Sequence, residues 1–136
     1  MQLTKDFSLS EMTNSRKATA SNIQNAPNDE QIANLRALCE QILQPARDKI
    51  GRAITVNSGF RSSALNVAVG GAASSQHLQG EAADITMSDK NSNMELFAII
   101  RDLGNYDQLI DEKNFSWIHV SWKRAGNNRK QAFSKK

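Results

Sequence analysis

Only two histidines occur in this chain, and each stands in a polar, motif-like setting that any fold must bring to one place. His77 lies in Ser75-Gln76-His77-Leu78-Gln79-Gly80-Glu81-Ala82-Ala83-Asp84, and His119 in Trp117-Ile118-His119-Val120-Ser121. A lone histidine is more often a surface residue or a hydrogen-bonded core residue than a ligand. Here the neighbours carry the signal: Ser75, Gly80, Ala82 and Asp84 at fixed offsets from the first, and an apolar strand-like run around the second. Two imidazoles and one carboxylate make a three-ligand set with the fourth position open, the arrangement of a catalytic rather than a structural zinc. The expectation is a zinc hydrolase with His77, Asp84 and His119 as its ligands.

Composition narrows the alternatives. The single cysteine, Cys39, excludes an internal disulfide and a cysteine-based zinc knuckle. It falls in an amphipathic helical run, where a buried inert thiol is expected. At 136 residues the chain is long enough for one domain and one core without disulfides. The segment Met1-Gln2-Leu3-Thr4-Lys5-Asp6-Phe7 has no apolar h-region, so synthesis in a cytoplasm without a signal peptide is expected. No run approaches the roughly 18 apolar residues of a membrane span.

The net charge of +3 is unevenly spread. Lys123, Arg124, Arg129, Lys130, Lys135 and Lys136 have no acidic residue among them, which leaves the first 122 residues net negative. The expected organisation is one domain over 1–122, a monomer, followed by a solvated basic tail over 123–136. Such a tail suits anionic wall polymers. Nucleic acid is not an expected partner, because there is no recognition-helix pattern, no Arg–aromatic interleaving and no Gly-rich phosphate loop.

Residues 1–28 are polar and Ser/Asn-rich, with a short helical piece over Leu9–Met12, and are expected to wrap the surface. From Asp29 to Ile50, Ile32, Leu35, Cys39, Ile42, Leu43, Ala46 and Ile50 recur at helical spacing. Asn28 with Gln31 can cap that helix, and Pro45 should kink or terminate it. Ala53–Ser58 reads as a strand, Ser63–Val69 as a short helix, and the surroundings of His77 as a loop. A strand near Ala83–Thr86 follows. Ser92-Asn93-Met94-Glu95 reads as a capping box for a helix through Leu103, with Gly104 as its stop. Strands over Asp107–Asp111 and Trp117–Trp122 complete an α+β fold, a small, mainly antiparallel sheet packed on helices. Period-2 alternation sets Trp117, His119 and Ser121 on one face of the last strand and Ile118, Val120 and Trp122 on the other.

Four segments in order, Ser58-Gly59-Phe60-Arg61-Ser62, residues 75–84, Tyr106-Asp107-Gln108-Leu109-Ile110 and Trp117–Ser121, resemble the zinc D-Ala-D-Ala carboxypeptidase family. That family's fold is shared with the hedgehog signalling domain and related to lysostaphin-type enzymes. The resemblance runs from about Phe7 to Trp122. It implies zinc on His77, Asp84 and His119, and a substrate-binding Arg61. Gly80 and Ala82 leave room for a tight ligand loop, although Gly80 could equally be an ordinary turn glycine.

Hydrolysis also needs a base. Many relatives carry a carboxylate three residues before the second histidine, where this chain has Ser116. Members closer to hedgehog carry a Glu somewhat earlier, which aligns with Glu112; Asp111 is the rival on the opposite strand face. Ser75, Gln76 and Ser121 are candidates for hydrogen bonds to substrate or ligands, and Asp107 for orienting an imidazole or closing a turn. The resemblance implies a peptidase of the peptidoglycan peptide stem, endopeptidase or carboxypeptidase, in phage lysis or wall turnover. It would reach the wall by holin-type release or as a virion component. The alternative is an inactive zinc-bearing binding module of the hedgehog type. A base beside the metal separates the two.

Overall fold

A computed structural model describes residues 1–136. The chain opens with a short hairpin, β1 (Gln2–Thr4) and β2 (Phe7–Ser8), then α1 (Leu9–Thr13), α2 (Arg16–Ala20) and α3 (Asp29–Leu38). Asn28 caps α3 as expected: its side chain accepts from the Gln31 N–H while the Gln31 side chain accepts from the Asn28 N–H. The helix does not stop at Pro45. It widens into a π turn over Cys39–Leu43 and continues as α4 (Gln44–Ile50), ending on the left-handed Gly51. Proline has no N–H to give the Gln41 carbonyl, and its ring needs room beside the preceding turn. The wider turn supplies the room, and Asn105 Nδ2 donates to the Gln41 carbonyl at 3.0 Å.

After β3 (Thr55–Ser58) and α5 (Ser63–Ala68), the stretch expected to be a loop around His77 forms a 3-10 turn over Gln76–Gln79. Then follow β4 (Ala82–Thr86), α6 (Lys90–Leu103), β5 (Gln108–Glu112), β6 (Trp117–Ser121) and β7 (Gln131–Lys135). The N-cap of α6 is Asp89, not Ser92: the Asp89 side chain accepts from the Ser92 N–H, and Ser92 and Asn93 lie buried inside the helix. Asn93 is used elsewhere, its Oδ1 accepting from the Met87 N–H and its Nδ2 donating to the Phe115 carbonyl. Gly104 is the left-handed stop of α6, as its position implied.

The main sheet runs β3-β4-β6-β5-β7. Every pair is antiparallel except β5 with β7, which are parallel. The fold is therefore α+β with a mainly antiparallel sheet. The segment 123–136 is exposed but does not hang free: it turns back along β5 and adds the fifth strand. One sheet face packs on the helices through Ala83, Ile85, Leu109, Ile118 and Val120, which meet Leu35, Leu38, Ile42, Leu43, Leu96 and Ile100 in one buried cluster. Full burial of each such Leu, Ile or Val side chain is worth roughly 1.5–3 kcal/mol, so this layer holds the sheet rigid. The opposite face is left free to carry chemistry.

Candidate metal centre

Register places the polar residues of that free face in rows. Asp84 on β4 is opposite His119 on β6, and His119 is opposite Ile110 on β5. One row along, Glu112 is opposite both Trp117 and Lys135. His77 comes to the same place from the 3-10 turn, whose N-cap Ser75 accepts from the His77 N–H at 3.2 Å. Asp84 sits between the two rings: Oδ1 is 3.0 Å from His119 Nδ1 and Oδ2 is 3.4 Å from His77 Nε2. The rings meet edge-on with centroids 5.2 Å apart. One donor atom from each of the three residues lies within 4.8 Å of the others.

The donor set fits a metal. His77 Nδ1 is 2.7 Å from the Gly59 carbonyl, which can only accept, so Nδ1 carries a proton and Nε2, turned toward Asp84, is the ring nitrogen that would bind a metal. Burial would push the Asp84 carboxyl up, but hydrogen bonds from His119 and His77, and their charges, outweigh it and hold it far below the usual carboxylate range. An ionised carboxylate and two converging imidazoles are hard and borderline ligands suited to zinc and its divalent neighbours.

Arg61 belongs to the same centre. Its guanidinium is 3.5 Å from Asp84 Oδ2 and is steered by Ser58 Oγ at 3.1 Å and Asn66 Oδ1 at 3.3 Å, while its backbone N–H donates to the His77 carbonyl. Asn25 braces this loop, donating to the Phe60 carbonyl and accepting from the Ser62 N–H. A cleft of about 650 Å³ opens over the centre, with Arg61, Ser75, Gln76, Glu112, Trp117 and Lys135 among its walls.

The two rival carboxylates separate cleanly. Glu112 lines the cleft. Asp111 points into the other face, 5 % exposed, and accepts from the Phe115 N–H and from Ser134 Oγ. It closes the turn between β5 and β6 and ties β7 to it.

Asp107 touches neither histidine. Its fully buried carboxylate accepts from the Arg129 side chain and N–H and from Gln76 Nε2 at 3.1 Å, so it fastens the turn before β7 to the 3-10 turn that carries His77. Burial raises its pKa, but the Arg129 hydrogen bonds and charge, with the Gln76 amide, bring it down to about 2. Ser121 shares the His119 face yet is buried, its Oγ accepting from the Gln108 N–H rather than opening onto the cleft. Gly80 does not approach the metal centre. It is left-handed, and a Cβ there would strike the Gln31 carbonyl of α3, so glycine serves the turn and the helix contact.

Three contributors to the centre stand outside every motif, Asn25, Asn66 and Arg129, and a fourth, Gly59, acts through its carbonyl. A backbone carbonyl leaves no trace in side-chain spelling, and Gly59 hints at its role only through the contact that glycine allows. A Cβ there would collide with the Met12 backbone.

No curated protein matches the chain. The sequence model of the family described as Peptidase M15 matches residues 5–121, which takes in Arg61, His77, Asp84, Glu112 and His119 and ends before Arg129 and β7. M15 peptidases are metallopeptidases, in agreement with the His77–Asp84–His119 cluster. The chain belongs to the peptidase M15 family.

Proposed function

We propose that the protein is a zinc peptidase that hydrolyses peptide bonds involving D-amino acids in the stem peptides of bacterial peptidoglycan. The observation that carries this reading is Asp84 set between two histidines on the floor of an open cleft, with Arg61 on one wall and Glu112 on another. Zinc held by His77, Asp84 and His119 would supply a Lewis acid for the scissile carbonyl and lower the pKa of a coordinated water toward ~7. Glu112 takes the proton of the attacking water and returns it to the leaving amine. Arg61, held by Ser58 and Asn66, offers charge-assisted hydrogen bonds to the developing oxyanion or to a peptide carboxylate. Ser75 and Gln76 line the cleft and are the candidates for hydrogen bonds to the substrate backbone.

Glu112 in the cleft favours turnover over a module that keeps its metal for binding alone. The setting that suits this chemistry is wall lysis or turnover, with a phage enzyme released through holin-type holes as the concrete case. Digestion of purified peptidoglycan, followed by mass analysis of the fragments, tests the reading. New peptide ends at bonds involving a D-residue, or released D-amino acid, are expected; a fragment pattern left unchanged by zinc-loaded protein contradicts it.

A further inference from the structure

A second depression of about 600 Å³ adjoins the cleft, and Arg61 and Val69 line both. Its floor is Val56 and Leu65, and its rim carries Asn14, Asn57, Arg16 and Lys17. No acidic residue lines it. Arg16 and Lys17 are exposed and take part in no ion pair, unlike Arg52, Arg61, Arg124 and Arg129, which each have a carboxylate. The second depression is thus a trough with an apolar floor, amide side chains able to hydrogen-bond a peptide backbone, and two uncompensated cations at its rim, and it shares Arg61 and Val69 with the cleft.

We propose that this trough is a substrate subsite for an anionic peptide segment lying several residues from the bond that is cut, its carboxylates read by Arg16 and Lys17. The proposal rests on the peptidase reading above and adds to it a preference: acidic residues several positions from the bond that is cut. Cations at the trough rim attract carboxylates at the cost of salt sensitivity, since both are exposed.

The test is a binding measurement on the full-length Glu112→Gln protein, which leaves Arg16 and Lys17 in place. Three hexapeptides with a central D-alanine serve as probes: one with two carboxylates on its amino-terminal side, one with them on its carboxy-terminal side, and one with all side-chain carboxylates amidated. Mass analysis after each titration confirms that the peptide is intact. One of the two anionic peptides is expected to bind about five- to tenfold more tightly than the neutral one at low salt, the effect of two exposed ion pairs. Arg16→Gln/Lys17→Gln should abolish that preference. Lys49→Gln/Lys90→Gln, which removes the same charge elsewhere, should keep it. Equal affinity for all three peptides, or a preference that survives Arg16→Gln/Lys17→Gln, overturns the subsite. Because binding is read without turnover, a protein that binds as expected but cuts no peptidoglycan would fail the peptidase reading and not this one.

Discussion

The Gly59 carbonyl fixes the proton of His77 on Nδ1, so a change that displaces this carbonyl disturbs the metal centre without touching a ligand. Gly59→Ala forces a Cβ against the Met12 backbone and must shift the loop. Its metal affinity should fall by about 10- to 100-fold, the usual cost of losing a ligand's outer partner; equilibrium competition with a chelator measures it, and unchanged affinity would detach Gly59 from the centre. Glu112→Gln should retain the metal and lower kcat by ~10²–10⁴. Asp111→Ala should instead lower stability, by about 1–3 kcal/mol, because the Phe115 N–H and Ser134 hydroxyl lose their acceptor. Thermal melts and metal assays beside the kinetics keep these effects apart. At this scale the His77–Asp84–His119 cluster was legible because a metal demands particular atoms at particular spacings. The Asp107 role was not, since its partners Gln76 and Arg129 are distant in sequence and only the fold joins them.

Among the elements, β7 is where sequence and structure part most. Gln131-Ala132-Phe133-Ser134-Lys135 has no β-branched residue and is exposed along its whole length, so neither propensity nor burial marks it. Backbone pairing to β5, Ser134 on Asp111 and the Arg129–Asp107 pair hold it in place. The last of these weakens in acid. The Asp107 pKa is depressed in the fold, so its contribution, about 2 kcal/mol, is complete above the ordinary aspartate range near 4 and is lost as pH falls through about 2. Asp107→Asn should remove most of that acid-dependent loss; melts between pH 5 and pH 2 that show the same slope for both proteins would refute it. Removing 129–136 would strip the pair and the strand together, so the charge of this region is better tested with Lys130→Gln/Lys136→Gln. That variant should keep the fold and pellet less with cell walls at low salt, and unchanged pelleting at every salt concentration would remove these lysines from wall adhesion. The α3–α4 helix shows the opposite balance: its apolar spacing was fully readable, whereas its passage through Pro45 depends on a π turn and on Asn105, far along the chain.

The whole molecule is a division of labour between two sheet faces. One is sealed against helices, Cys39 included, whose thiol burial pushes up to about 12, first by desolvation and then by Glu11 and Glu40. That thiol should resist alkylation in the native protein and react on unfolding. The other face carries Asp84, His119 and Glu112 at the open cleft, and the rigid core holds their strands in register. No helix is long and apolar enough to cross a membrane. Alternation along β6 made this two-faced plan readable from Trp117 to Ser121, while the second depression at Arg16 and Lys17 was not, because it is formed by segments more than one element apart. The claim on which the functional reading rests is that His77, Asp84 and His119 together hold one metal ion. Its most direct test is metal content by elemental analysis of the purified wild-type, Asp84→Asn and His119→Ala proteins, each shown to be folded. About one zinc per wild-type chain and little in either variant is the expected result; full zinc content in the folded variants would contradict it.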